Sequence, residues 1–460
     1  MKRLTAILLI LLTALPCFAV DRVLMVVATP PTTSGVALKA PGTTSAAQFV
    51  IPRYRTGSSF PAGQIVGYGP GTLLVGTATT KDQTPAAIVV TEGFTEDLAA
   101  WQGGTSGAQT AAVLQPFLED CTIAGYHSSN WTTAGVVSDN PYTYNTDLAT
   151  YPDLYVGADL IGQGGMVRNV NLFYIPGTAM FVNRAGNGRL GAILPNDKTE
   201  WTVENVSIKR VYRGLWMRAT DCSCHCISVE SARDWGVRLS NACLADKIHT
   251  FGVGYAAEAD GTGGAGIWLA DDGGCICSDF YAETGPVGLL ISTNNNKLNG
   301  FKSLGCTTAS IKIAGTNNIV SGISNCATSG GTCIGCDITN QYNTVTDGTF
   351  TLTAGATAIK DENGTGTCLR NLTINAYNLN TCKGVVVTGT LNFARYDVHV
   401  VGGTGIDLSA GHIGTKNTIN VTTGVSTVTP VSWPSGETWN TTPSADANLV
   451  YINGVRYYKQ

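Results

Sequence analysis

The chain has 460 residues, with 28 Lys and Arg against 32 Asp and Glu, and only 13% of its residues are charged. An acidic balance argues against nucleic acid as a partner, and 55 glycines among so few charges disfavour helix bundles and coiled coils. The composition suits many short strands joined by tight turns.

In chain order, Lys2 and Arg3 precede an apolar stretch from Leu4 to Leu15 and a small-residue site at Cys17-Phe18-Ala19. This is a secretory signal pattern, residues 1–19, with cleavage expected after Ala19. Acylation of Cys17 is the weaker alternative, because the bulky Leu15-Pro16 pair stands where small residues are wanted. No later apolar run is long enough to span a bilayer, so the expected location is secreted or cell surface, extracellular or periplasmic. Loss of the signal leaves 26 basic residues against 32 acidic ones and thirteen cysteines. An odd count means at least one thiol is unpaired or bonds between molecules. Most of the cysteines read as small buried apolar residues.

Residues 20–110 hold Pro and Thr clusters such as Thr29-Pro-Pro-Thr-Thr and strand-like runs such as Gly71-Thr-Leu-Leu-Val. Glu96 to Leu118 reads as one or two short helices. The region is expected to include a cap, since an uncovered solenoid end is an open sheet edge.

Residues 111–425 carry a repeat of a small residue, an apolar one, a variable one and another apolar one. It recurs as Gly214-Leu-Trp-Met, Gly236-Val-Arg-Leu, Gly266-Ile-Trp-Leu, Gly288-Leu-Leu-Ile, Ser310-Ile-Lys-Ile, Gly384-Val-Val-Val and Gly405-Ile-Asp-Leu. The first steps are 22, 30, 22 and 22 residues, and three longer rungs fit between 310 and 384, with Ala358-Ile-Lys in one of them. Val167, Thr178 and Val203 open less regular earlier rungs. A period in the twenties is a solenoid signature. The Leu and Asn positions of leucine-rich repeats are missing, and Gly, Asn, Thr and β-branched residues replace the helix formers of ankyrin and tetratricopeptide arrays. The expected fold is therefore all-β, a right-handed single-stranded parallel β-helix. Residues 426–447, rich in Pro, Ser and Thr, read as a linker, and 448–460 as a hairpin turning at Asn453-Gly454.

Alternation along the motif strands sends Trp216, Arg238, Trp268, Leu290 and Lys312 outward in one column. Two indoles flanking a guanidinium on successive rungs suit stacking on sugar faces, with the Arg238 fork offered to a carboxylate or sulfate. Aligning the preceding strands buries Ile227, Ile248 and Phe280 and exposes a second set: Cys226, Lys247 and Asp279; Ser228, His249 and Tyr281; Glu230, Phe251 and Glu283. Glu230 and Glu283 fall two rungs apart, about 9–10 Å between backbones, near the carboxyl separation of about 6.5–9.5 Å used in inverting glycoside hydrolysis. The candidate catalytic residues are thus Glu230, Glu283, Asp279, His249, Asp271 and Asp272. The candidate carbohydrate-binding residues are Trp216, Arg238, Trp268 and Tyr281.

The thirty-residue step contains a Gly-rich loop carrying Glu258 and Asp260, and Asp271-Asp272 follows the next strand. Their oxygens would suit calcium, though without EF-hand or RTX spacing; no other cofactor is expected. Cys222-Ser-Cys-His-Cys lacks the spacing of zinc knuckles. Its cysteines instead fall in columns, Cys222 with Cys243 and Cys275, and Cys224 with Cys277, which fits stacked thiols with occasional disulfides.

The Gly-apolar-x-apolar rungs and the Asn-rich turns at Asn294-Asn-Asn and Asn317-Asn318 resemble the pectin-lyase-like superfamily, which includes pectate lyases, polygalacturonases and phage tailspikes. The resemblance implies an extended polysaccharide or cell-surface glycan as partner. Of the polygalacturonase motifs only Asp271-Asp272 has a counterpart, with no Gly-His-Gly after it. Three functions are compatible with these residues: a polysaccharide hydrolase or lyase, a non-enzymatic adhesin or structural β-helix, and a tailspike-like receptor-binding protein, which would be a homotrimer.

Overall fold

The computed structural model describes scattered strands between residues 35 and 95, then 117–124 and much of 156–183. From 201 to 459 it is nearly continuous, except for 219, 241, 255–263, 377–379, 425–426, 436–438, 441–448 and 454. The signal pattern, the helices expected before Phe117, and Glu258 and Asp260 lie outside the described residues. Phe117 and Leu118, placed at the end of that helical stretch by sequence, belong instead to the strand Phe117–Ala124. No helix occurs among the described residues, so none there is long and apolar enough to cross a membrane.

The strands stack in parallel into a β-solenoid of about 10 turns, a parallel β-helix. Each rung has a short motif strand, such as Arg213–Met217, Val237–Ser240 or Ala265–Ala270, and a longer strand, such as Thr202–Val211, Ser223–Ala232 or Leu244–Phe251. The longer strand is divided by a residue with positive φ: Asn169, Asn205, Cys226, Lys247 and Asp279 on successive rungs, then Gly300 and Gly322. That residue interrupts the alternation of burial. In Thr202–Val211 the inward positions are Val203, Val206, Ile208 and Val211, with the phase reset after Asn205 and again after Arg210. The rung thus presents three outward faces: the first from the motif strand, the second and third from the two arms of the longer one. Inward side chains from Leu118 to Val450 form one continuous core.

The small residue opening each motif has a steric cause. A Cβ on Gly214 would lie 1.9 Å from the Gly236 carbonyl oxygen, on Gly236 2.6 Å from that of Gly266, and on Gly384 2.4 Å from that of Gly405. Neighbouring rungs approach too closely there for a larger side chain. The three longer rungs are present, since Ile311 pairs with Cys336, Cys336 with Ile359, and Ile359 with Val385. Gly335 opens the rung whose motif is hardest to see, Gly335-Cys-Asp-Ile.

A buried corner is held by asparagines. Asn318 Oδ1 accepts from the Asn296 backbone N–H at 2.9 Å, Asn343 Oδ1 from that of Asn318 at 3.0 Å, and Asn417 Oδ1 from that of Ala394 at 2.9 Å. These bonds satisfy backbone donors that a solenoid corner would otherwise bury unpaired.

Both ends depart from the expected boundaries. Gln64–Val66 and Leu73–Gly76 already stack in parallel on Phe117–Ala124, so the solenoid starts upstream of 111. Gly35–Lys39 pairs antiparallel with Ala47–Val50 and with Leu73–Gly76, extending the first rung's sheet beyond the solenoid. At the other end, Thr427–Ser432 is not linker but a further motif strand on Gly403–Asp407. Its Thr-Val alternation supplies the strand pattern, and Pro430, which lacks an N–H, fits a final strand with a partner on one side. Leu449–Ile452 and Val455–Lys459 form the expected antiparallel hairpin, with Asn453 at φ 48° between them.

Candidate functional site

Two outward columns carry the chemistry, on different faces. On the first face, pairing places Phe181 beside Trp216, Trp216 beside Arg238, Arg238 beside Trp268, and Trp268 beside Leu290. The Arg238 guanidinium carbon lies 4.4 Å from the Trp216 ring centroid and 4.3 Å from that of Trp268, sandwiched between the indoles. Its Nη2 donates to Asp271 Oδ1 at 2.8 Å, while the Ser240 hydroxyl donates to Asp271 Oδ2. Trp216 also stacks on Phe181 at 4.7 Å and meets the edge of Trp235 at 6.0 Å. Trp216 is consequently only 6% exposed. Trp268 is half-buried and donates its Nε1 proton to Ser292 Oγ at 2.7 Å.

The column is therefore in the expected order, but its faces are engaged by protein. Each sandwich contact is worth about 0.5–2 kcal/mol depending on desolvation. Asp271, with φ 59° in the turn after Ala265–Ala270, serves here as the anion that orients Arg238. Asp272 is exposed beside it.

On the third face, Ser228 pairs with His249, His249 with Tyr281, and Tyr281 with Lys302. The next outward column is Lys209, Glu230, Phe251, Glu283 and Leu304. The His249 and Tyr281 rings stack at 4.8 Å and 7°, and Lys302 Nζ sits 4.6 Å from the Tyr281 centroid. His249 Nε2 donates to Glu283 Oε1 at 3.2 Å. A carboxylate can only accept, so this contact fixes the proton on Nε2. Tyr281 is pushed up to about 12, first by desolvation and then by its hydrogen bond to Glu283 and that group's charge. Its hydroxyl is protonated, and a donor, across the physiological range. Phe251 and Leu304 are 42% and 47% exposed, a large apolar contribution to an otherwise polar strip.

His249, Tyr281 and Glu283 thus form one group. Glu230 is not part of it: Phe251 stands between it and Glu283 in the column, and Lys209 Nζ holds it at 2.8 Å on the rung before. Asp279, at the left-handed corner with φ 55°, lies over Gly300, where a Cβ would come within 2.8 Å of its Oδ1. Sequence reasoning missed Lys302 and Leu304. The signal was available, because Phe301 continues the inward column of Ile227, Ile248 and Phe280 and so sets its neighbours outward. Among the described residues, no three His, Cys, Asp or Glu side chains are gathered to hold a metal ion.

The fold and these columns define the class, a parallel β-helix protein with a polar and aromatic outer strip. The chain matches no family model, no curated protein and no solved structure, so the class rests on the parallel β-helix architecture alone.

Proposed function

We propose that this is an exported protein that binds an extended acidic glycan along the third face of the solenoid. One observation carries the reading: His249, Tyr281 and Lys302 occupy three successive rungs in register, the first two half-buried and Lys302 exposed, flanked by half-buried Glu283 and the exposed Phe251 and Leu304. Three successive rungs are separated by two spacings of about 4.8 Å, about 10 Å in all, a span suited to a pair of sugar units. Ring edges and exposed apolar side chains suit sugar C–H faces. Tyr281 and His249 supply directed hydrogen bonds, and Lys302 with the exposed Lys247 and Lys209 supplies positive charge. The N-terminal signal pattern supports export. The first-face column is the poorer platform, since Trp216 is covered and Arg238 is already paired.

Cleavage is a second reading, supported by Glu283 alone of the two glutamates being oriented by a histidine and a tyrosine. The test is to incubate the protein with a panel of acidic and neutral glycans and measure retention in affinity electrophoresis, new reducing ends, and unsaturated products by ultraviolet absorbance. Retention by acidic glycans, reduced in Tyr281→Ala and Lys302→Ala, is the expected result. Retention without new ends assigns an adhesin-like binder; retention with new ends abolished in Glu283→Gln assigns a hydrolase where no unsaturated product absorbs, and a lyase where one does. If no glycan is retained, or both variants bind as well as the parent, the proposal fails.

A further inference from the structure

The asparagine ladder stops at Asn296, whose Oδ1 accepts from the Cys275 backbone N–H at 3.0 Å. Above it the same corner column continues as Cys275, Cys243 and Cys222, with the Ile276 N–H donating to the Cys243 carbonyl at 3.0 Å and the Leu244 N–H to the Cys222 carbonyl at 2.9 Å. Cys224 and Cys277 lie in the adjoining inward column, on either side of Ala245. All five side chains are buried, Cys277 at 4% exposure and the others at 0%. Where asparagine ties each rung to the next through its side-chain amide, cysteine offers only weak donors: the Cys243 thiol lies 3.9 Å from the Leu244 carbonyl. Its other contact is the thiol of Cys224 one rung above, and the Cys275 thiol in turn bonds to the Cys243 backbone.

We propose that Cys243 is joined by a disulfide to a cysteine of an adjoining rung, Cys224 or Cys275, a covalent staple inside the solenoid where the asparagine ladder ends. Cys243 and Cys275 are in-register neighbours on parallel strands, about 4.8 Å apart, inside the Cα separation of roughly 4.4–6.8 Å that a disulfide spans; Cys224, in register with Ala245 two residues along, meets Cys243 through the contact between their thiols. The oxidant is a small-molecule or protein disulfide. The Cys243 thiolate attacks one of its sulfurs, forming a mixed disulfide and expelling one thiol. The partner cysteine's thiolate then attacks the Cys243 sulfur, closing the cross-rung bond and expelling the second thiol, so two protein thiols are oxidised and one disulfide is reduced to two thiols. Burial pushes Cys275 up to about 12 in the folded chain, leaving almost no thiolate at neutral pH. The bond therefore forms while the rungs are stacking, before the column is closed.

The test refolds the full chain from reductant in oxidised and reduced glutathione, blocks remaining thiols by alkylation, and maps tryptic peptides before and after reduction. Cleavage separates Leu239–Lys247, which carries Cys243, from Ala219–Arg233 and from Ile248–Lys297. The expected result is Leu239–Lys247 linked to one of the other two peptides, with the link lost on reduction and absent in Cys243→Ser. The exposed Cys226 lies in the first of those peptides, so Cys226→Ser is the control and retains the link. Recovery of Leu239–Lys247 fully alkylated and unlinked overturns the proposal, as does loss of the link in Cys226→Ser.

Discussion

The first-face column Phe181-Trp216-Arg238-Trp268 and the third-face column His249-Tyr281-Lys302 are built alike: rings and cations in register on successive rungs of one solenoid. They differ in what surrounds them. Trp235, Asp271, Ser240 and Ser292 close around the first, so its stacking contributes to stability. The third column meets solvent on its outer side, with His249 44% exposed and flanked by exposed Phe251 and Leu304. Residue type therefore does not distinguish a structural stack from an available one; the residues from neighbouring turns that cover it do.

The largest effect that would sharpen this contrast is expected from Trp216→Ala. Removing a buried indole that touches Phe181, Trp235 and Arg238 should cost about 3–5 kcal/mol, read as a lower urea midpoint, with glycan retention unchanged under folding conditions. A stable variant that has lost retention would exchange the roles of the two faces.

The interior shared by both faces provides the next. Asp361 is buried, accepts from Tyr396 Oη at 2.5 Å and is raised to about 6, by desolvation above all. Its folded pKa lies above the unfolded value of 3.8, so the folded chain binds more protons between these pH values. The stability Asp361 contributes in acid is lost as pH rises through about 6, on the order of 3 kcal/mol. Asp361→Asn keeps an acceptor for Tyr396 and should flatten the urea midpoint between about pH 4 and about pH 7. An unchanged slope would assign the titration to another group.

Smaller still is Tyr281→Ala, expected to weaken acidic-glycan retention about tenfold, on the order of 1.4 kcal/mol, while shifting stability by about 0.5 kcal/mol or less. A large loss of stability would make the third-face stack structural like the first. The smallest is Glu230→Ala. Its exposed pair with Lys209 should be worth about 0–1 kcal/mol, with any glycan cleavage preserved; abolished cleavage would restore Glu230 to the site.

Most of the architecture was legible because a solenoid is local: each rung repeats the same alternation, and the small residue every twenty-odd positions marks where a Cβ would strike the next carbonyl. The same regularity gave the outward columns, including Trp216-Arg238-Trp268 and His249-Tyr281. Rungs with irregular lengths or a cysteine at the first apolar position were harder to place, as at Gly335-Cys-Asp-Ile, and so was Thr427–Ser432, whose Pro and Ser content resembles a linker until a stacked neighbour is present.

The sequence by itself determined the repeat, the parallel β-helix, the inward and outward sides of each strand, and the C-terminal hairpin, because these depend on periodicity and turn chemistry along the chain. Only the tertiary structure decided that Trp216 is covered, that Arg238 is committed to Asp271, that Glu283 rather than Glu230 is oriented by His249, and that the column of Cys275, Cys243 and Cys222 continues the corner where the asparagine ladder ends. Those outcomes depend on which side chains of adjacent turns reach across a rung spacing of about 4.8 Å, and alternation fixes a residue's side of the sheet but not its cover.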